Sequence, residues 1–278
     1  MSFADLHIHT YYSDSTASPQ EVIDEARNIG LGCIAITDHD TVDGLLPTIE
    51  EGKKHNIEVL TGIELSSEIN GRDVHILGYL FDLNDQFFYS QLELMQDSRI
   101  ERMKGMIKKL EDLGIKGISL EEVCALSESK SVGRPHLAKI LMDKGKVSSM
   151  KQAFDRYLAE GAPAYVSKYK QSPYEAIDLI RKAGVVSVLA HPMLTQIDEL
   201  IPSLVEHGLS GLEVYYPNCS ENIIFFYSRI AQKHKLIMTG GSDAHGKAKK
   251  NTHIGRVKVP YECVEQLKLA KSQLRLNP

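Results

Sequence analysis

The sequence predicts an α/β fold, a distorted TIM-like (β/α)7 barrel carrying a helical insertion. Short apolar runs alternate with amphipathic helical stretches over residues 1–83 and again over 169–278, the pattern of right-handed βαβ units around a parallel sheet. Residues 84–168 keep helical spacing and show no βαβ unit. Histidine-rich polar motifs fall at the C-terminal ends of the apolar runs, the face on which barrel loops converge on an active site. The expected organisation is a discontinuous barrel domain, 1–83 with 169–278, and an insertion subdomain, 84–168.

Phe3–His9 reads as the first strand. Ser18-Pro19-Gln20-Glu21 opens a helix, with serine as N-cap, proline at the first helical position and glutamate placed to close a capping box; it runs to about Asn28 and stops at Gly30. Cys33–Thr37 is continuously apolar until its last residue, as a strand buried on both faces should be. A helix near Asp43–His55 leads to a strand at Glu58–Gly62, and Arg72–Tyr79 reads as another. The alternation resumes with helix Pro173–Ala183, strand Val185–Leu189, helix Asp198–His207, strand Gly211–Tyr215, helix Ser220–His234 and strand Leu236–Thr239, giving seven strands. Within the insertion, Ile100, Met103, Met106, Ile107 and Leu110 follow helical spacing up to Gly114, and further helical pieces fall near Leu120–Ser127, Pro135–Lys144 and Met150–Glu160.

A chain of 278 residues accommodates one large domain with a sizeable insertion. Its net charge of −5 argues against a broad basic surface for gripping duplex DNA. Nothing resembles a membrane helix, and the first strand begins too early for a signal peptide to precede it. Cys33, Cys124, Cys219 and Cys263 are scattered without a CxxC pair, which points to reduced thiols in a cytoplasmic protein.

The chemistry lies in the histidines. His7 and His9 stand at i and i+2 of a strand and so share one face. Asp14 follows closely, then Thr37-Asp38-His39-Asp40, Gly62-Ile63-Glu64, Val74-His75, Ala190-His191-Pro192 and Ser242-Asp243-Ala244-His245. Imidazoles and carboxylates gathered at strand ends describe a polynuclear metal centre. Glu213 follows another buried run, where it either approaches the site or supports it. The remaining histidines at 55, 207 and 234 (predicted helix ends) and His253 (a loop) read as surface residues.

These ordered motifs resemble those of the PHP (polymerase and histidinol phosphatase) family, over about 1–82 and 169–260. The position of the insertion and its Gly133-Arg134-Pro135-His136 sequence resemble the small stand-alone phosphoesterases of that family, which act on nucleoside 3′,5′-bisphosphates or trim short RNA from the 5′ end. The resemblance implies up to three metal ions. His7, His9, Glu64 and Asp243 would form one site; Glu64 would bridge to a second with His75 and His191; Asp14, His39 and His245 would form the third. Many members carry histidine where this chain has Asp14. A harder, anionic ligand there favours manganese or iron, with zinc also accommodated. Asp38 is expected to orient a ligating histidine.

Metal-bound water is the expected attacking group, since neither a Gly-rich phosphate loop nor a GxSxG elbow is present. Arg134 suits a phosphate because its planar fork matches two oxygens, and His136 lies two positions on. Lys168 and Tyr169, at the return to the barrel, are the other candidate substrate contacts. Lys247-Ala-Lys249-Lys250 reads as a solvated loop. The expected substrate is a small phosphorylated nucleotide or short RNA; a histidinol-phosphate phosphatase and a non-catalytic binding domain are the competing readings.

Overall fold

The computed structural model describes residues 2–127, 131–167, 171–249 and 252–276. In chain order the elements are β1 (Phe3–Ile8), α1 (Pro19–Asn28), β2 (Cys33–Ile36), α2 (Leu45–His55), β3 (Glu58–Ile69), β4 (Arg72–Tyr79), α3 (Gln86–Asp112), α4 (Leu120–Cys124), α5 (Arg134–Asp143) and α6 (Met150–Ala153), the last continuing into a π turn, Phe154–Leu158. They continue with α7 (Pro173–Lys182), β5 (Val186–Leu189), α8 (Pro192–Thr195), α9 (Ile201–Glu206), β6 (Gly211–Tyr215), α10 (Glu221–His234), β7 (Ile237–Gly240), β8 (Val259–Pro260) and α11 (Glu262–Leu276). The capping chemistry at Ser18 is as the sequence demands: its hydroxyl accepts the Glu21 N–H, and the Glu21 carboxylate accepts the Ser18 N–H.

One eight-stranded sheet runs in the order β7-β6-β5-β4-β3-β2-β1-β8. It curls until Ile8 bridges Ala244, just beyond β7, which nearly closes the barrel. The seven expected strands are all present. The sheet is mixed rather than wholly parallel, because β4 runs antiparallel to both β3 and β5. Residues beyond Gly62 continue β3 through Glu64 to Ile69, and Asn70-Gly71, both at positive φ, turn the chain straight back into β4. β8 and α11 are the elements that the apolar periodicity does not foresee; β8 pairs antiparallel with the start of β1.

Side chains alternate across the strands into two cores. Outside, Ile34, Ile36, Ile63, Leu65 and Ile76 pack against α1 and α7. Inside, Leu6, Ala35, Leu60, Leu77, Tyr79 and Val188 fill the lower barrel, and Val264 and Leu267 of α11 join this cluster. Burying each such large aliphatic chain contributes roughly 1.5–3 kcal/mol. The helical segment has a cluster of its own, built from Met103, Met106, Leu110, Leu137, Leu141 and Leu158. The early part of α3 belongs instead to the barrel core, through Phe88 and Leu92. Among the described residues, no helix is long and apolar enough to cross a membrane.

Candidate metal centre at the barrel rim

Simple alternation does not place the first two histidines. Ala4 and Leu6 face the barrel interior, so a regular strand would turn His7 and His9 outward. The register of β1 against β2 shifts between Asp5 and Ile8, and Ile8 then packs outside with Ile36. That irregularity resets the alternation and points both imidazoles into the mouth. Glu64 lies within β3 and faces inward, while Ile63 and Leu65 face outward. His75 sits early in β4. Because β4 is antiparallel, its early half lies at the same rim as the C-terminal ends of the parallel strands.

The last two motifs hold strained backbone. His191 has φ 28° and Asp243 φ 47°, both in the left-handed region that non-glycine residues avoid. The His191 N–H donates to Glu213 Oε2 at 2.8 Å, which fixes its turn ahead of Pro192. Gly241 permits the closure: a Cβ there would stand 2.3 Å from the His7 backbone nitrogen.

All nine expected ligands converge. Glu64 is the hub. Its Oε2 lies 3.3 Å from His7 Nε2 and 3.2 Å from both His9 Nε2 and His39 Nδ1. Its Oε1 lies 2.7 Å from His75 Nδ1 and 3.0 Å from His191 Nε2. Asp243 Oδ1 faces His9 Nε2 at 3.2 Å and His7 Nε2 at 3.6 Å. Asp14 Oδ1 lies 3.1 Å from His245 Nε2 and 3.8 Å from His9 Nδ1, and its Oδ2 is 3.9 Å from His39 Nε2. Among the described residues, three groups have donor atoms close enough together to hold an ion: His7, His9, Glu64 and Asp243; His9, Asp14, His39 and His245; His39, Glu64 and His75. The first is the set that the family resemblance implies. The second adds His9 to the implied set, and the third has His39 where the resemblance implies His191.

The donors fit divalent cations. Bonds of about 2.1 Å to one ion hold neighbouring donor atoms roughly 3.0–3.4 Å apart, close to the spacings around Glu64 and Asp243. Both nitrogens of His9, His39 Nδ1, His191 Nδ1, His245 Nε2 and Asp14 Oδ1 are buried without a hydrogen-bond partner among the described residues. Buried nitrogens and oxygens left unpaired are costly unless a cation or another partner satisfies them.

The electrostatics agree. Burial alone would raise Glu64, but His39, His75 and His7 hold it well below the usual carboxylate range. Asp14 and Asp243 are likewise held low against burial, chiefly by His245. His7 is raised, because Glu213 and Glu64 outweigh its burial, and burial pushes His39 down.

Support for the ligands comes from residues the motifs only partly disclose. Glu213 Oε1 pairs with His7 Nδ1 at 2.9 Å, leaving Nε2 to face the mouth. The Tyr216 hydroxyl donates to Asp243 Oδ2 at 2.7 Å and Lys249 reaches the same oxygen at 3.2 Å, so Oδ1 is the oxygen turned inward. Asp38, expected to orient a histidine, does something else. It accepts from Thr10 N–H at 2.7 Å and from the Thr10 and Ser13 hydroxyls at 2.6 Å each, and so organises the loop that carries Asp14. A buried aspartate beside backbone donors satisfies them first.

A cavity of about 130 Å³ adjoins the centre, shared by Asp14, His39 and His75 with Arg99, Arg102 and Arg134. Arg134 thus lies where the sequence suggests, with Nη2 3.4 Å from Asp73 Oδ2. His136 is buried and does not line this cavity; its Nδ1 accepts the Gly133 N–H at 2.9 Å and caps α5. Lys168, Tyr169 and Lys250 lie outside the described residues. Arg99 and Arg102 are the basic residues the motifs miss; their i, i+3 spacing on α3 is the signal that puts them on one face. The Arg99 fork is committed to Asp40, the Ser66 hydroxyl and the Val132 carbonyl. Arg102 donates from Nε to the Val166 carbonyl at 2.7 Å, while its buried Nη2 has no partner among the described residues. Burial and the neighbouring Arg134 lower it to about 10.

A crown of imidazoles and carboxylates at the open end of a barrel, beside guanidinium groups, defines the class: a metal-dependent hydrolase acting on an anionic substrate. The PHP domain model matches residues 5–163. The chain is 32% identical over 260 residues to the 3′,5′-nucleoside bisphosphate phosphatase of Chromobacterium violaceum, covering 92% of this chain and 91% of that protein. It is 32% identical over 248 residues to the 5′-3′ exoribonuclease Rnm of Escherichia coli, covering 87% and 84%. A solved structure from Bifidobacterium adolescentis, assigned to the metal-dependent phosphoesterases, superposes with a TM-score of 0.87 at 29% identity over 96% of each chain. The chain belongs to the PHP domain family.

Proposed function

We propose that this enzyme, a metal-dependent phosphoesterase, hydrolyses small phosphorylated nucleotides: nucleoside 3′,5′-bisphosphates, short 5′-phosphorylated oligoribonucleotides, or both. The observation that carries this reading is the single cavity in which Asp14, His39 and His75 meet Arg102 and Arg134. Cation-holding and phosphate-holding groups share one space there, and of the cited relatives one is named for nucleoside bisphosphates and the other for RNA.

Two or three divalent ions would be held at the rim, by His7, His9, Glu64 and Asp243, by Glu64, His75 and His191, and by Asp14, His39 and His245. Asp14 favours manganese or iron over zinc. When bound, the ions supply a water acidified towards neutrality and a positive field on the phosphate oxygens. The chain's own groups do the rest. Glu213 and Tyr216 hold His7 and Asp243 in the ligating orientation. Arg102 and Arg134 orient the substrate's second phosphate, which fixes the reacting phosphate over the crown. Arg99, saturated by Asp40, Ser66 and Val132, ties the helical segment to the barrel. We take 84–168 as the insertion that brings these arginines over a barrel formed by 1–83 and 169–278, and the protein as cytoplasmic, with four free cysteines.

Manganese-loaded protein assayed against adenosine 3′,5′-bisphosphate, histidinol phosphate and a 5′-phosphorylated tetranucleotide tests the proposal. Preference for the nucleotides is expected. Preference for histidinol phosphate, which has no second phosphate for Arg102 and Arg134, would replace the reading. Inactivity on all three with metal bound would leave a binding domain.

A further inference from the structure

Large apolar side chains are exposed on α8 and α10. Leu194 of α8 is 61% exposed, and Phe225 and Phe226 of α10 are 68% and 50% exposed. Between these helices lies a groove of about 470 Å³, lined by Met193, Ile223, Phe226, Gln196, Asn222 and Asp198. Tyr227, which also lines it, donates its hydroxyl to Asp198 at 3.0 Å.

Two connections link the residues of the groove to those of the centre. α8 begins at the residue after His191, and Tyr216, whose ring meets His191 edge-on at 5.6 Å, leads directly into α10. In the second, the Gln196 carbonyl accepts from the Arg72 guanidinium, and Asp73, next along β4, pairs with Arg134 of the phosphate cavity. A pocket with a methionine and a phenylalanine on its walls and amide groups at its edge matches a nucleobase, which has apolar faces and a rim of donors and acceptors.

We propose that this groove is a base-stacking subsite for the nucleotide 3′ to the scissile phosphate, which keeps that phosphate when the 3′ oxygen of the first nucleotide leaves, with Phe226 as the stacking residue. The proposal rests on the phosphoesterase reading. It makes the enzyme's preference for an oligonucleotide over a mononucleoside bisphosphate depend on α10, since only the oligonucleotide has a second base to place there.

The test compares wild type, Phe226→Ala and Phe225→Ala, each checked for an unchanged melting temperature, on three substrates. These are adenosine 3′,5′-bisphosphate, 5′-phosphorylated tetra-adenylate, and the same tetramer abasic at its second position. Phe226→Ala should lower the ratio of kcat/KM for tetramer over bisphosphate by about 10-fold, the size of one lost stacking contact. Wild type on the abasic tetramer should show the same loss. Phe225→Ala, outside the groove lining, should leave the ratio alone.

The chain contains no tryptophan, so Phe226→Trp gives a single fluorescent reporter. Its emission should be quenched by the tetramer and not by the abasic tetramer. An unchanged ratio in Phe226→Ala together with equal hydrolysis of both tetramers overturns the proposal. So does a dimeric wild type that both Phe225→Ala and Phe226→Ala turn into monomer, because the patch would then be a contact with a second copy. If wild type hydrolyses none of the three, the nucleotide-substrate reading falls, and the tryptophan quench still decides whether the groove binds a base.

Discussion

The metal crown and the arginine cavity share a wall, yet they are built in different ways. Sheet register fixes the crown: its imidazole centroids lie 4.1–6.3 Å from their neighbours, and each ring is set by a strand or by a strained turn at a strand end. The arginines stand on α3 and α5, whose later turns pack around Met106, Leu110 and Leu141, a cluster separate from the barrel cores. Fastenings between the two regions include Arg99 with Asp40, Gln96 with the Asp40 carbonyl, and the Ser131 hydroxyl with the His39 carbonyl. On the proposed reading, cation binding belongs to the barrel and substrate grip to the helical segment laid over it. The two should be separable by mutation.

Glu64→Ala should have the largest effect. Removing the carboxylate that faces five imidazoles should strip metal from the protein and take turnover to background, with metal analysis and phosphate release falling together. Glu213→Leu comes next. Loss of the acceptor that orients His7 should cost about 10- to 100-fold in metal affinity or activity, read by metal titration; an unchanged affinity would break the link between Glu213 and the crown. Arg102→Ala should lower kcat/KM by about 10-fold, as expected for one charged hydrogen bond, with metal content unchanged. Metal loss in this variant would mean that the two regions are not separable.

The smallest effect concerns pH. In metal-free protein, burial lowers His9, but Asp243 and Glu64 outweigh it and raise the imidazole from its ordinary 6.5 to about 9. A group raised on folding contributes stability that is fully present below about pH 6.5 and lost as pH rises through about 9. The melting temperature of the metal-free protein should therefore fall between those values. Metal-loaded protein should lack this fall, because ligation requires the neutral ring. A metal-free protein whose melting temperature rises over that interval would contradict this.

The same contrast governs what could be read in the sequence. The nine crown residues are legible because each motif is local: an acid or imidazole beside an apolar run, with Gly241 or Pro192 marking a turn. Even so, His7 and His9 reach the mouth only through an irregularity in β1 that no alternation discloses, and Glu64 sits inside a strand that runs on to an Asn-Gly hairpin. The roles of Asp38 and Glu213 depended on which group lay nearer each histidine ring, a question of tertiary packing. Arg102 gave no motif at all, since its meaning comes from Arg134, 32 positions away in sequence and adjacent in space. The eighth strand, two residues long, was too short to leave a periodic trace.

Anomalous diffraction at the manganese edge, from crystals grown with manganese, tests the central claim most directly. A peak should stand within coordination distance, about 2 Å, of both Glu64 and Asp243, with at least one more against His39, His75 or His191. Manganese-replete crystals with no peak at Glu64, or with the ion bound elsewhere on the surface, would contradict a cation-holding crown.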